Sequence, residues 1–356
     1  MTQSLRSLSL LWTVVAAFVV GPGCRRDPGG TPGPAPGPAG RATAPAGKPF
    51  RIAMIANNAS NLSVLSARRG AEDRARALSV TLGTPIEIVW LTPAQEDGHA
   101  QAQRVLQAVN ELDDAILISC SDDETITKAI DDAVSRGIPV MTFDSDAPRS
   151  KRFSYVGIDD AEVGKQLMVE LAGVVAAPAK IAILAGNPGA QNLQRRVEGI
   201  KREAARYPGL RVVGTFFHDE TPQGATTEML RAMASTPDIA GWVMVGGWPL
   251  YTKTLLGEAL TDAGKIRYKV VSVNALPPQL VYVERGVAPV LLAQPTYEWG
   301  AVGVETIIAR TLQRKAVPPY IALKPVKVTA QNLGTWARQL KTWGFGDVPD
   351  EYLRLK

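Results

Sequence analysis

From Arg51 onward, short apolar runs alternate with longer segments of helical periodicity. The apolar runs that predict buried strands lie at residues 52–56, 86–91, 115–120 and 138–143. The helical patterns between them lie at residues 63–78, 94–112 and 123–136. This alternation predicts a lobe in which helices cover a parallel sheet.

The same pattern then starts again. Further strands are predicted at residues 181–185, 210–217, 242–245 and 270–273, with helices at 190–207, 224–235 and 250–263. The opening strand at residues 52–58, IAMIANN, is echoed 129 residues later by IAILAGN at 181–187, and Gly70 falls on Gly199 at that spacing. The repeat is far too long for a solenoid and predicts two similar α/β lobes. More elements follow, predicted at residues 278–285, 290–293, 298–313 and 326–329.

The strand at residues 138–143 ends in an acidic turn, DSDAP at 144–148. Ligands of open parallel sheets bind just outside the carboxyl ends of the strands. We therefore expect Asp144 to lie where a neutral, hydroxyl-rich ligand is held. A second short strand at residues 153–157 and a helix that opens at Asp159 follow, and there we expect the chain to leave one lobe for the other.

The first 23 residues have the pattern of a signal peptide. Arg6 precedes an apolar segment at residues 8–20, which is too short to span a membrane. The cysteine that follows, Cys24, resembles the modified residue of a bacterial lipoprotein cleavage site, although Gly21 stands where that site usually has Leu. We expect an exported, periplasmic protein whose only membrane attachment is a lipid on Cys24. The alternative is a plain secretory signal with a spare cysteine.

Residues 24–49 consist mainly of Gly, Pro, Ala and Arg, which predicts an extended tether with nothing to bury. With Cys24 lipidated, Cys120 has no partner for a disulfide within the chain, and we expect it to be a small core residue.

Composition excludes several classes of function. The length of 356 residues suits two domains, and the net charge of +5 comes from basic residues scattered among acids, which gives little support for nucleic-acid binding. The two histidines, His99 and His218, are not accompanied by a cluster at metal-ligand spacing, and no catalytic or phosphate-binding motif follows a strand. We expect neither an enzyme nor a bound cofactor or metal.

Four segments together resemble the sugar-binding periplasmic proteins of the ribose-binding type, which supply ABC transporters. These segments are IPVMTFDSDAP (138–148), SYVGIDDAEVGKQL (154–167), QRRVEGIKREA (194–204) and AQPTYEWGAVGVETI (293–307). The resemblance implies two Rossmann-like α/β lobes with parallel sheets, joined by three crossing segments with the ligand between them. It divides the chain into an N-terminal lobe, 50–157 plus 295–323, and a C-terminal lobe, 158–294 plus 324–356.

The resemblance also implies a set of ligand-binding residues. These are Asn57, Asn61, Asp144, Ser145, Asn192, Gln194, Arg196, Trp248, Asn274 and Gln294. The family's aromatic pair falls on Ser63 and Val64, so a stacking surface is missing there, and Trp248 is the candidate to replace it.

Carboxylate and amide groups of this kind suit vicinal hydroxyls, and an aromatic face suits the C–H patch of a sugar ring. Structural roles are the alternatives. Asn57 and Asn61 fit turn positions. Asp144 fits a turn brace, with Asp146 then the ligand group. Arg196 fits a salt bridge within its own loop, and Trp248 fits packing at a helix start.

The resemblance implies a monomer that captures a monosaccharide or similar polyol by lobe closure and delivers it to an ABC transporter permease. The alternative is a sensory binding protein that presents its closed form to a chemoreceptor or sensor kinase. A transcription regulator of related fold would need a DNA-binding segment where this chain has an export signal and a tether.

Overall fold

The structure of the protein is a computed structural model that describes residues 47–260 and 263–356. The predicted signal peptide, Cys24 and nearly all of the predicted tether lie outside the described residues. Among the described residues, the strands are β1 (Phe50–Ile55), β2 (Ile86–Trp90), β3 (Ala115–Ile118), β4 (Val140–Phe143), β5 (Ser154–Gly157), β6 (Ala179–Ala185), β7 (Leu210–Phe217), β8 (Ile239–Met244), β9 (Lys269–Val273), β10 (Val290–Ala293), β11 (Tyr320–Ala322) and β12 (Val326–Val328).

Helices connect most of these strands. They are α1 (Leu62–Leu82), α2 (Gly98–Asn110), α3 (Asp123–Ser135), α4 (Asp160–Ala172), α5 (Gln191–Ala204), α6 (Pro222–Ser235), α7 (Thr254–Ala259), α8 (Leu280–Glu284), α9 (Thr296–Thr311), α10 (Leu333–Thr342) and α11 (Asp350–Leu353). Short 3₁₀ turns occur at Trp248–Tyr251 and Pro277–Gln279.

Local sequence determines where several helices begin. The side chains of Asn61, Asp97, Asp122, Asp159 and Thr221 each accept a hydrogen bond from a backbone N–H in the first turn of the helix that follows. Such caps satisfy donors that the helix itself leaves unpaired.

The strands form two sheets of six, in the orders β11-β5-β4-β3-β1-β2 and β12-β10-β9-β8-β6-β7. All pairs are parallel except β10 with β12. The five strands β1–β5 occur in the same spatial order as β6–β10. This repeat confirms the predicted fold class of two similar α/β lobes.

The chain passes between the sheets three times. After β5 it enters α4, which packs on α5 of the second lobe, and after β10 it enters α9, which packs on α1 of the first. The third passage joins β11 of the first sheet to β12 of the second. The predicted positions of the lobe boundaries within these passages stay predictions.

Glycines permit the two close helix pairs. A Cβ on Gly70 of α1 would clash with the Tyr297 carbonyl group of α9, and Gly300 of α9 faces α1 equally closely. In the second lobe, Gly164 of α4 and Gly199 of α5 are in the same relation. The spacing between Gly70 and Gly199 in sequence therefore reflects two equivalent helix contacts.

The first sheet is buried on both faces. Ile52 and Met54 pack with side chains of α1 and α9, whereas Ala53 and Ile55 pack with α2 and α3 on the other face. Cys120 is buried in the second of these clusters, as predicted, and burial raises the pKa of its thiol. A strand buried on both faces reads as a continuous apolar run, which is why these strands were recognisable.

Several elements differ from the sequence-based expectation. Helices α10 and α11 were not predicted, and β11 was missed because it is only three residues long and follows two prolines. The single helix expected at 250–263 is a 3₁₀ turn followed by the short α7. This helix ends at Ala259, and Leu260 already pairs with Ile266 in an antiparallel bridge.

Candidate functional site

One cavity is lined by residues of both lobes that follow the carboxyl ends of the strands. Small-molecule sites occur preferentially at such junctions between two domains. The lining residues are Asn57, Asn61, Ser63, Glu96, Cys120, Asp144, Ser145, Ala190, Asn192, Leu193, Arg196, Glu220, Gly246, Gly247, Trp248, Tyr251, Asn274, Gln294 and Trp299.

Nine of the ten side chains predicted from sequence line this cavity, and Gln194 does not. The reason is helical phase. Asn192 and Arg196 are four residues apart on α5 and share a face, whereas Gln194 lies about 200° around the helix from Asn192. The Nε2 group of Gln194 is buried and has no hydrogen-bond partner.

Asp144 and Asn274 occupy equivalent positions in the two lobes, directly after β4 and β9. Both have left-handed backbone conformations, with φ of 57° and 67°, which are uncommon for residues other than glycine and concentrate at functional sites. Backbone hydrogen bonds hold each of them: Asp144 N–H donates to the Val156 carbonyl at 3.0 Å, and Asn274 N–H donates to the Leu292 carbonyl at 2.9 Å.

The Asp144 carboxylate has little support from the protein itself. Its Oδ2 accepts one long hydrogen bond, 3.4 Å, from Ser119 Oγ. Burial raises the pKa of Asp144 to about 7, against the opposing effect of Arg196. The alternative candidate, Asp146, is not a lining residue, and its Oδ2 accepts a hydrogen bond from Arg152 Nη2 at 2.6 Å. Asp144 is therefore the acidic group of this turn that is available to a ligand.

A buried chain of hydrogen bonds connects the two lobe crossings. Arg196 Nε donates to Asp160 Oδ1, Arg196 Nη2 to Gln294 Oε1, Gln294 Nε2 to Asn274 Oδ1, and Asn274 Nδ2 to the Tyr251 hydroxyl, each at 2.8 Å. Asp160 begins α4 after the first crossing, and Gln294 precedes α9 at the second. The guanidinium of Arg196 thus both lines the cavity and braces the connections, and its salt bridge is to Asp160 of α4 rather than within its own loop as the structural alternative had it.

The two asparagines after β1 differ in their partners. Asn61 Oδ1 accepts from Ser63 N–H at 2.9 Å and caps α1, as its structural interpretation required, although the residue also lines the cavity. Asn57 Oδ1 is buried and has no partner. A buried amide oxygen without a donor is costly, so this acceptor is free for a ligand.

Trp248 supplies an aromatic wall. Its side chain is 8% exposed and meets the His218 ring edge to face, with ring centroids 4.8 Å apart. Burial lowers the pKa of His218 to about 4, and its Nδ1 accepts from Glu220 N–H at 2.9 Å. The imidazole is therefore neutral at physiological pH and packs against Trp248.

Sequence reasoning missed two carboxyl groups. Glu96 follows β2 and Glu220 follows β7, which are equivalent places in the two lobes, and both carboxyl groups line this cavity. Burial, and then the negative charge of Glu96, raise the pKa of Glu220 to about 8, and burial also raises the pKa of Glu96. Neither glutamate belongs to a local motif, and only the lobe repeat points from Glu220 to Glu96.

Tyr251 and Trp299 also line the cavity and were missed. Tyr251 lies in the 3₁₀ turn that replaced a predicted helix, and Trp299 is 1% exposed on α9 with its Nε1 unpartnered. Within residues 47–260 and 263–356, no group of three or more His, Cys, Asp or Glu side chains is arranged to hold a metal ion. None of the helices in those residues is sufficiently long and apolar to cross a membrane.

Comparisons with known proteins agree with this architecture. The family model described as periplasmic binding protein domain matches residues 52–314. The ribose import binding protein of Bacillus subtilis is 28% identical over 192 residues, which are 54% of this chain and 60% of that protein. The xylitol-binding protein of Mycolicibacterium smegmatis is 26% identical over 202 residues, 56% of this chain and 57% of that protein. The matches therefore span less than two thirds of the length of these two curated relatives.

A solved structure shares the fold over nearly its whole length. The solute-binding protein of an ABC transporter from Burkholderia graminis, in complex with D-arabinose, superposes with a TM-score of 0.73 at 24% identity, covering 80% of this chain and 96% of that one.

Proposed function

Because this chain belongs to the periplasmic binding protein family, we propose that it captures a monosaccharide or similar polyol between its lobes and delivers it to the permease of an ABC transporter. The family consists of binding components, in agreement with the prediction that the chain is not an enzyme. The matched relatives are named for ribose and xylitol, and the solved structure holds D-arabinose. All three are small polyhydroxylated molecules.

The observation that carries the proposal is that residues of both lobes form the wall of the cavity. Asn57 and Asp144 come from the first lobe, and Asn274 and Trp248 from the second. A ligand that contacts residues of both lobes stabilises the closed form of the protein. The permease then binds this closed form in preference to the open one. Polar groups in such a closed site discriminate against molecules that lack the matching hydroxyl groups.

The side chains match the chemistry of a polyol. The Asp144 carboxylate and the Asn57 amide oxygen accept from hydroxyl groups, and each has spare capacity. Arg196 uses three of its five N–H groups on the protein, which leaves donors for a ligand oxygen. Trp248 offers an apolar face to the C–H groups of a ring.

A thermal-shift screen of the purified protein tests the proposal. The panel is pentoses, hexoses, polyols, amino acids and nucleosides. A ligand that binds only the folded state adds about 2.7 kcal/mol of stability at a hundredfold excess over its dissociation constant. We expect a sugar or polyol to raise the midpoint, and we expect Asp144→Ala and Asn274→Ala to abolish the rise.

The control is Asp347→Asn, because Asp347 is exposed and does not line this cavity. A rise of the thermal midpoint with amino acids or nucleosides alone would reject sugars and polyols as the ligand class. It would still agree with ligand capture by closure of the two lobes. No rise with any compound would reject ligand capture as proposed.

We also propose that the protein is exported and held at a membrane by a lipid on Cys24. The supporting pattern is the apolar segment at residues 8–20 that ends before this cysteine. Mass spectrometry of the purified native protein should find an acylated Cys24 as the new N-terminus. Cys24→Ser should move the protein from the membrane fraction to the soluble periplasm, and an unchanged membrane fraction would contradict the assignment.

A further inference from the structure

The cavity has more negative than positive side chains. Glu96, Asp144 and Glu220 line it, and Arg196 is the one cationic lining residue among those the structure describes. The Arg196 guanidinium lies 2.8 Å from Asp160 Oδ1, so its charge is already balanced by a buried carboxylate. With a neutral sugar bound, the three lining carboxyl groups would have no cation beside them and would have to hold protons instead.

Two of the three acidic groups lie at one end of the cavity. Glu96, Glu220, Asn57 and Trp248 line both the main cavity and an adjoining hollow, which places them where the two spaces meet. At this end Asn57 Oδ1 is buried without a donor, as an observation independent of the carboxyl groups. Glu220 Oε1 accepts from Asn187 N–H at 2.8 Å. The charge of Glu96 acts on the same carboxyl group, and two neighbouring carboxyl groups need a proton or a cation between them.

The side chains at this end of the cavity offer acceptors, and a ligand there would have to supply hydrogen-bond donors and positive charge. A hydroxyl group brings one donor together with two acceptor lone pairs, whereas an ammonium group brings three donors and no acceptor. Three acceptors converge here, from Glu96, Glu220 and Asn57, and the adjacent face of Trp248 attracts cations. An ammonium group would take the place of the shared proton and satisfy all three acceptors.

We infer that the ligand is a polyhydroxylated molecule with a protonated amine, such as an amino sugar or aminocyclitol, whose ammonium group is bound between Glu96 and Glu220. The inference rests on the proposed function, since it uses the same cavity and the same closure. In this arrangement Asp144, Asn274 and Arg196 hold the hydroxyl groups, and the carboxyl pair determines which class of polyol is selected.

Matched ligands separate charge from shape. Calorimetric titration at neutral pH compares glucose, galactose and mannose with the corresponding 2-amino sugars and with their N-acetylated forms. Because the ammonium group would form charge-assisted hydrogen bonds, we expect each amino sugar to bind at least about tenfold more tightly than its neutral counterpart. The N-acetylated form, which has the substituent but lacks the charge, should lose that advantage.

Variants locate the effect. Glu220→Gln and Glu96→Gln keep the size of the side chain and remove its charge, so each should reduce the ratio of the affinities for the amino sugar and the neutral sugar about tenfold. The matched control is Glu198→Gln, which changes an exposed glutamate on α5 outside the cavity and should leave both affinities unchanged.

The outcomes distinguish the inference from the proposed function. Neutral sugars that bind as tightly as their amino counterparts would overturn the inference and leave sugar capture in place. An amine preference that persists in both Gln variants would overturn the assignment to the carboxyl pair. Failure of these hexoses in all three forms to bind, together with no response to pentoses and polyols in the thermal-shift screen, would overturn the proposed function and, with it, this inference.

Discussion

Replacement of Arg196 by Met should destabilise the protein strongly, because Arg196 is buried at the junction of the two lobe crossings. Its side chain is 3% exposed, and that of Asp160 is 4% exposed. Removal of the guanidinium leaves the Asp160 carboxylate buried without its cation, and it takes the donors from the Val245 carbonyl and Gln294 Oε1. Removal of one partner from a buried ion pair costs about 3–5 kcal/mol.

We therefore expect Arg196→Met to lower the free energy of unfolding by about 3–5 kcal/mol. Even in the intact protein, burial outweighs the effect of Arg196 and raises the pKa of Asp160. Without the guanidinium this pKa rises further, so lower pH should reduce the loss by protonating Asp160. The double variant Arg196→Met with Asp160→Leu should recover much of the loss, because no buried charge remains.

Urea unfolding followed by circular dichroism and by tryptophan fluorescence measures these differences, and coincidence of the two signals checks that unfolding is two-state. The control is Arg231→Met on α6, whose side chain is 63% exposed in its pair with Glu228 and should barely affect stability. A loss below about 1 kcal/mol for Arg196→Met would refute the reasoning, since no buried ion pair would then be broken. A double variant no more stable than Arg196→Met would show that the two charges are not coupled.

Three further predictions concern pH, packing and the aromatic wall. The pKa of Glu220 is raised from 4.5 to about 8 by burial and by Glu96, so the folded state binds more protons. The melting temperature should therefore fall as pH rises from about 4.5 to about 8 and then level off, and Glu220→Gln should flatten this dependence; a melting temperature that rises over this range would contradict the assignment. Gly70→Ala should cost about 1–3 kcal/mol or more in urea unfolding, because its Cβ meets the backbone of α9, whereas Gly257→Ala in α7, with open space around it, should be neutral or stabilising; equal effects would rule out the close approach. Trp248→Ala should weaken ligand binding about tenfold in calorimetry, with Trp248→Phe retaining part of the affinity, and unchanged affinity would show that the indole does not contact the ligand.

The sequence alone determined the architecture and the ends of the strands. Strands buried on both faces appear as apolar runs, and helices between them show their own period, so the alternation and its repeat revealed both lobes. Because ligands bind where parallel strands end, the position of Asp144 followed from the strand boundary, whereas Asn274 was implied by the family resemblance. The pair Gly70 and Gly199 was visible as an echo, although its meaning as two close helix contacts was not.

Only the tertiary structure decided which polar groups act together. Glu96 and Glu220 lie in separate loops without a local pattern; burial raises the pKa of both, and the negative charge of Glu96 from the other lobe raises that of Glu220 further. Arg196 likewise takes its partners from two lobe crossings that are far apart in sequence, so its dual role was open until the crossings were placed. Local periodicity reports which face of an element is buried, whereas charge, hydrogen bonding and proton sharing depend on distances between side chains that only the folded chain brings close.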